Sequence, residues 1–175
     1  MSQSLVIEKA GPADATLIMD VARKTFVETY AELGIRNNMG KYMEEYFTEE
    51  KIAEELADKD LHFYIARFEG NPIGFTKLRN DRMPRGISGL KCLEIERIYI
   101  LKEYQGNSVG RELMNVIKQM ARKSKYQVIW LQIWQKNTKA VQFYRKSGFV
   151  IYETTLFDFY GEIHNDYLLR YDLYL

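Results

Sequence analysis

Leu93-Glu94-Ile95-Glu96-Arg97-Ile98-Tyr99-Ile100, followed after a short gap by Gln105-Gly106-Asn107-Ser108-Val109-Gly110-Arg111, is the stretch that decides the fold. Its first half belongs to a predicted strand over Cys92–Ile100, built from apolar and β-prone residues. Its second half is a short polar loop. A helix then runs from Val109 to about Lys123, with Leu113, Val116, Ile117 and Met120 on one face. The loop therefore sits at a helix N-terminus, where first-turn N–H groups lack intrahelical partners and the helix dipole adds positive charge. An anion such as a pyrophosphate fits there. Gly106 and Gly110 let the backbone come close to it. Ser108 offers a hydroxyl or a helix cap, and Arg111 a guanidinium for a phosphate oxygen. An ordinary capped strand-to-helix turn has the same outline. The loop is no Walker A loop and lacks the G-x-G-x-x-G order.

Working outward, Val128–Trp134 is strongly apolar and predicts a central strand, Thr138–Lys146 a helix, and Phe149–Phe157 and Tyr167–Tyr174 two closing strands. Upstream, a short strand around Val6 is broken by Gly11-Pro12-Ala13-Asp14. Leu17, Ile18, Val21, Ala22 and Phe26 then mark a helix to about Glu32. A second helix carries Met39, Tyr42, Met43 and Tyr46, and Thr48 caps a third with Ile52 and Leu56 on its apolar face. Phe63–Phe68 and Ile73–Leu78 flank the turn Glu69-Gly70-Asn71-Pro72 as a hairpin, and a polar loop spans Asn80–Gly89. The order predicts an α/β (α+β) mixed sheet with helices packed on it. At 175 residues, a single domain over 1–175 is expected.

Composition removes several function classes. The net charge of +1 gives no basic excess for nucleic acid or an anionic membrane. Cys92 stands alone, and His62 and His164 lack metal-ligand spacing, so no metal is expected. Met1–Asp14 has neither the basic nor the apolar region of a secretory leader, and no apolar run reaches membrane-helix length. The expectation is a cytoplasmic protein. Cys92 reads as a buried small hydrophobe.

Ile98-Tyr99-Ile100, the loop Gln105–Gly110 and Leu113 together resemble the central motif of the GNAT superfamily of N-acetyltransferases: an apolar strand end, then Gln/Arg-x-x-Gly-x-Gly/Ala opening a helix. Some thirty residues on, Asn137-Thr138-Lys139-Ala140-Val141-Gln142-Phe143-Tyr144-Arg145-Lys146-Ser147-Gly148-Phe149 resembles the second hallmark, Asn-x-x-Ala-x-x-Phe-Tyr-x-x-x-Gly-Phe. Ser108 departs from the pattern, standing where the first motif glycine belongs. Leu93–Ile100 with Ile129-Trp130-Leu131 and Trp134-Gln135-Lys136-Asn137 is similar to bacterial PaiA-type polyamine acetyltransferases.

The resemblance implies a three-layer sandwich around a central mixed sheet, acetyl-CoA as co-substrate, and direct transfer to an amine. It implies that Gln105, Gly106, Asn107, Ser108, Val109, Gly110 and Arg111 hold the pyrophosphate. The backbone of Ile98, Tyr99 and Ile100 would hold the pantetheine where neighbouring parallel strands splay near Ile100 and Trp134. Asn137 would touch the same arm or cap its helix. Tyr144 would lie near the sulfur and protonate the thiolate; a phenol of roughly pKa 10 can supply a thiolate of roughly 8.5. Phe143 is assigned to the core, and a core role for Tyr144 is the bland alternative.

Glu94 and Glu96, two apart on a strand, point to one face. They attract a cationic amine and raise one another's pKa. The resemblance places a base or water relay at either position, so Glu96 or Glu94 is the candidate base; a solvated strand face is the alternative. Phe26, Glu28 and Tyr30, with loops near Phe159, Tyr160 and His164, are candidates for the acceptor pocket through cation–π and ionic contacts. His164 reads as a strand-edge residue. The acceptor is expected to be a small amine or polyamine such as spermidine. Acetylation of a protein or peptide amine, or a non-catalytic acetyl-CoA-binding regulatory module, are the alternatives. The end Tyr171-Asp172-Leu173-Tyr174-Leu175 offers an open strand edge for a second copy, a homodimer.

Overall fold

A computed structural model of the chain describes residues 4–174. Met1–Gln3 of the expected leaderless terminus and Leu175 of the expected edge lie outside the described residues. The elements are β1 (Leu5–Lys9), α1 (Ala15–Glu32), α2 (Met39–Tyr46), α3 (Glu49–Ala57), β2 (Leu61–Phe68), β3 (Asn71–Arg79), β4 (Cys92–Ile100), α4 (Val109–Lys123), β5 (Val128–Trp134), α5 (Thr138–Lys146), β6 (Val150–Phe159) and β7 (Glu162–Asp172). They form a seven-stranded sheet in the order β1-β2-β3-β4-β5-β7-β6. The sheet is mixed: β4 and β5 are parallel, while β1–β2, β5–β7 and β6–β7 are antiparallel. This is the α/β mixed-sheet class the element order predicted. No helix among the described residues is long and apolar enough to cross a membrane.

The contacts divide the chain into two compact units. The first holds the residues up to Leu78 and Arg97–Val116. Its apolar centre includes Ala66, Ile73, Val109 and Leu113, with Ile98, Ile100 and Tyr104 packed on it. Helical spacing on α4 thus seats the loop: Val109 and Leu113 turn inward and leave Gln105–Ser108 exposed. A Cβ at Gly74 would stand 2.7 Å from the Tyr99 carbonyl oxygen, so glycine is what lets β3 close against the end of β4. Thr48 caps α3 as its sequence position predicts, accepting the Lys51 N–H at 3.2 Å.

The second unit holds Arg79–Glu96 and the residues from Ile117 onward. Cys92, Val128, Trp130, Leu168 and Ile87 form a core cluster there, so Cys92 is a buried apolar side chain as expected. The β3–β4 loop is pinned over this cluster. Ile87 inserts into it, and the Tyr152 hydroxyl donates to the Arg85 carbonyl at 2.9 Å.

Two expectations are corrected in this unit. The segment around Phe159–His164 is no pocket loop: β6 runs to Phe159 and β7 begins at Glu162. Tyr160 (φ 52°) and Gly161 (φ 91°) make the whole turn. Two positive φ values in succession match the right-handed twist of a two-residue hairpin. The polar residues past Gly161 read as a loop, yet they alternate: His164, Asp166 and Leu168 are buried, Ile163 and Asn165 exposed. The sheet edge also lies elsewhere. β7 sits between β5 and β6, so β6 is the edge strand and the C-terminal strand is not.

Candidate active site

In the first unit, β4 ends at Ile100 and a 3-10 turn, Lys102–Tyr104, leads into the loop. Glu28 Oε2 accepts the Lys102 N–H at 3.0 Å, which ties α1 to that turn. The Gln105 amide donates to the Ile100 carbonyl at 3.0 Å and closes the loop on its strand. Gly106 takes φ 84°, and Ser108 takes φ 67°. The departure from glycine therefore carries a physical cost. Ser108 holds a left-handed backbone that a side chain disfavours by about 1–2 kcal/mol. Its carbonyl accepts the Glu112 N–H at 3.0 Å, and its hydroxyl accepts from Arg111 Nη2 at 2.9 Å. The helix ladder opens with that Glu112 bond, so the N–H groups of Val109, Gly110 and Arg111 precede it at the positive end of the dipole.

The other candidates in this unit separate by burial. Ile98 and Ile100 pack on the α4 side, while the Tyr99 ring meets Phe75 edge-on at 5.5 Å. Phe26 is 1% exposed, stacked on Tyr42 at 4.7 Å and tilted against Tyr30 at 4.3 Å. Its ring is a packing element of α1. Tyr30, one turn on, is half-buried.

In the second unit, Glu94 and Glu96 share a strand face but not an environment. Glu96 Oε2 accepts from Arg79 Nη1 at 3.1 Å, and Arg79 also grips Asp81 at 2.6 Å. Glu94 is 6% exposed. Its Oε2 has no hydrogen-bond partner, and its Oε1 lies 3.7 Å from the exposed Arg82. Burial pushes the Glu94 carboxyl up to about 7, with Arg82 opposing and Glu96 adding to the rise. A group that titrates there is poised for proton transfer near neutrality. Arg79 stands against Glu96 and Arg82 against Glu94, both cations coming from the end of β3 and the segment after it.

On α5, Tyr144 is buried and packs edge-on against Phe149 at 5.6 Å. Burial raises its phenol well above the ordinary tyrosine value, so the hydroxyl keeps its proton. Phe143, expected in the core, is half-buried instead. Helical spacing gives the inward position to Val141 and Tyr144, three apart, and Phe143 falls beside that stripe. Asn137 caps α5, its side chain accepting the Ala140 N–H at 3.4 Å. The β4–β5 register runs from Cys92/Val128 to Glu94/Trp130, and both strands continue past it, to Ile100 and Trp134.

Sequence reasoning missed a further group. His164, buried inside β7 and not at an edge, stacks on Trp134 with centroids 4.2 Å apart. Asp166, also buried, accepts from Gln132 Nε2 at 2.8 Å. The available signal was alternation: Trp130, Gln132 and Trp134 on β5 pair with Arg170, Leu168 and Asp166 on β7, and His164 continues that alternation.

Residues 25–149 match the acetyltransferase (GNAT) family. An uncharacterised N-acetyltransferase from the pepI 3′ region of Lactobacillus delbrueckii subsp. lactis is 27% identical over 94% of this chain and 95% of its own length. The spermidine N(1)-acetyltransferase of Thermoplasma acidophilum is 26% identical over 91% of this chain and 96% of its own. Among solved structures, the PaiA N-acetyltransferase of Thermoplasma acidophilum in complex with coenzyme A superposes with a TM-score of 0.79. It is 21% identical, covering 97% of this chain and 99% of that one. The chain belongs to the acetyltransferase (GNAT) family and is an N-acetyltransferase.

Proposed function

We propose that the chain moves an acetyl group from acetyl-CoA directly to the primary amine of a small amine or polyamine. The observation that carries this reading is Glu94, a buried carboxyl with an unpartnered oxygen that titrates at about 7. An ammonium of roughly pKa 10 must lose its proton before it can attack. Glu94 accepts that proton through water. Glu96, held by Arg79, contributes negative charge and not proton transfer. Acetyl-CoA supplies the thioester carbonyl that the amine attacks. As the C–N bond forms and the C–S bond breaks, Tyr144 gives its proton to the leaving sulfur.

The loop fits a pyrophosphate. Gln105–Ser108 are exposed, the N–H groups of Val109–Arg111 stand ahead of the helix ladder, and Arg111 adds a guanidinium. The strand end Ile98–Ile100 would take the peptide-like pantetheine by strand augmentation. Support for a polyamine acceptor comes from the paired carboxylates and from the spermidine acetyltransferase relative.

A thiol-release assay with acetyl-CoA over an amine panel, beside isothermal titration of acetyl-CoA alone, tests the reading. Binding with turnover of at least one primary amine is expected. Binding with no amine turned over would sink the catalytic reading and leave a cofactor-binding module.

A further inference from the structure

Five buried side-chain atoms lack a hydrogen-bond partner among the described residues: Glu94 Oε2, Trp130 Nε1, His164 Nε2, Asp166 Oδ1 and Arg170 Nε. Alternate residues of a strand share a face, so all five lie on one face of β4, β5 and β7. Buried polar groups without protein partners are commonly bridged by ordered water. Glu94 and Trp130 are direct neighbours, paired in the parallel register of β4 and β5, and each is 6% exposed.

This pair is complementary. An ionised carboxylate only accepts, and an indole N–H only donates. The two do not bond each other. Adjacent strands lie about 4.8 Å apart, and two hydrogen bonds of about 2.9 Å meeting at a tetrahedral oxygen span about the same distance. The spacing of the pair is thus that of a one-water bridge. Trp130's partner on its other side, Arg170, is a donor as well, so Glu94 is the paired neighbour that can accept. The indole is also held in place. Its ring packs in the cluster of Ile87, Cys92, Val128 and Leu168, with Leu90 and Tyr152 against that cluster. Cys92 stands two residues before Glu94 on the same strand face, so the packing that fixes the ring reaches the carboxylate's own strand.

We propose that the Trp130 indole N–H is a positioning group for the proton transfer: it holds, against Glu94, the water through which the carboxylate deprotonates the acceptor ammonium. This rests on the acetyl-transfer reading above. The water accepts from Trp130, donates to Glu94 Oε2 and keeps a lone pair for the ammonium. Those are three bonds, the usual number for a buried water. As the N–H bond of the ammonium breaks, its electron pair stays on nitrogen and its proton joins the water oxygen. The water passes its own proton to Oε2. Water is regenerated, and Glu94 becomes a neutral acid. Without the indole bond the water turns freely and presents its lone pair to the ammonium only part of the time.

Trp130→Phe keeps an aromatic ring in the cluster and removes the N–H. Its kcat with spermidine and with propylamine should fall about tenfold, the scale of one hydrogen bond, with the acetyl-CoA dissociation constant unchanged. Beside Glu94→Gln the same change should cost less than about twofold, because the two residues act through one water. Equal losses in the two backgrounds overturn the proposal and leave acetyl transfer standing. A second measurement keeps the test open if the Phe variant does not fold. The chain has two tryptophans, so its indole N–H groups give two proton signals in NMR. The Trp130 signal, retained in Trp134→Phe, should shift as pH passes through about 7 and stop doing so in Glu94→Gln. That control separates Glu94 from Glu96, Arg79, Arg82 and Asp81, the charged groups that act on it. A Trp130 signal that ignores Glu94 overturns the proposal as well. Wild-type enzyme that turns over no amine in the panel overturns acetyl transfer itself, and the relay with it.

Discussion

The loop Gln105–Arg111 and the face of β4, β5 and β7 handle polar groups in opposite ways. The loop is contiguous in sequence and largely exposed, and two of its side chains bond locally, Gln105 to Ile100 and Arg111 to Ser108. The face is buried and drawn from three strands, and several of its polar atoms have no partner. An anion can be held by backbone N–H groups at one helix end, which needs only a few consecutive residues. A proton acceptor near neutrality needs desolvation, and desolvation is supplied by distant parts of the chain. Changes in the loop should therefore alter affinity and stability modestly. Changes on the face should alter rate.

The largest expected effect separates Glu94 from Glu96. Glu94→Gln should lower kcat/KM by about 10³-fold, within the range for a general base. Glu96→Gln should cost less than about fivefold, since Arg79 already holds that carboxylate in a partly exposed pair. Comparable losses in both would mean that the two act as one acidic patch and that burial does not distinguish them. The same Glu94→Gln change should raise stability above neutral pH. A carboxyl raised in the fold contributes stability below its unfolded value, and loses that contribution as pH rises through about 7. Removing the buried charge should thus stabilise by about 3 kcal/mol at pH 8 and by almost nothing at pH 4. Thermal melts at the two pH values check it.

Tyr144→Phe comes next. It should lower kcat by about 10²-fold and leave the acetyl-CoA dissociation constant nearly unchanged. The ring contact with Phe149 survives the substitution, so loss of the hydroxyl is isolated. Equal loss of turnover and affinity would reduce Tyr144 to packing.

The pH profile gives a smaller effect and tests the role of Arg82. Below about 7 Glu94 must first lose its own proton to accept one from the ammonium, so log kcat/KM should rise with slope one. Between 7 and roughly 10 the profile should be level, since the carboxylate and the ammonium are then both in the reactive form. Arg82 favours the Glu94 carboxylate from 3.7 Å, so Arg82→Gln should move the break upward. A break that stays in place would assign Glu94 to another role.

How far the sequence showed these differences follows from the same locality. Helix and strand positions from α1 to α5 were legible because period and caps are local: Thr48 before Ile52, Gly106 before Val109. The loop was legible as well, down to the odd Ser108. The face was not. Glu94 and Glu96 look alike until Arg79 and Arg82 are seen to take them differently. Asp166 and His164 followed Gly161 and a run of polar residues, which reads as a loop. Only pairing with β5 shows that their alternation is a buried strand face. Phe143 and Tyr144 are adjacent, and one residue of helical phase decides which is buried.

Ser108→Gly should produce the smallest effect, and it tests the loop's side of the comparison. Ser108 holds φ 67°, where glycine meets no Cβ penalty. Relief of that strain is worth about 1 kcal/mol, offset in part by the greater freedom of glycine in the unfolded chain. The melting temperature should rise by about 2 °C or less, on the scale of 2–4 °C per kcal/mol for a chain of this size. The substitution also removes the hydroxyl that accepts from Arg111 at 2.9 Å and so releases the guanidinium. If Arg111 serves the pyrophosphate, acetyl-CoA should bind a few-fold tighter, with kcat unchanged. Weaker binding would show that the Ser108 hydroxyl itself reaches a phosphate. The left-handed turn would then be kept for that contact, and the loop, like the face, would owe its function to a side chain and not to backbone alone.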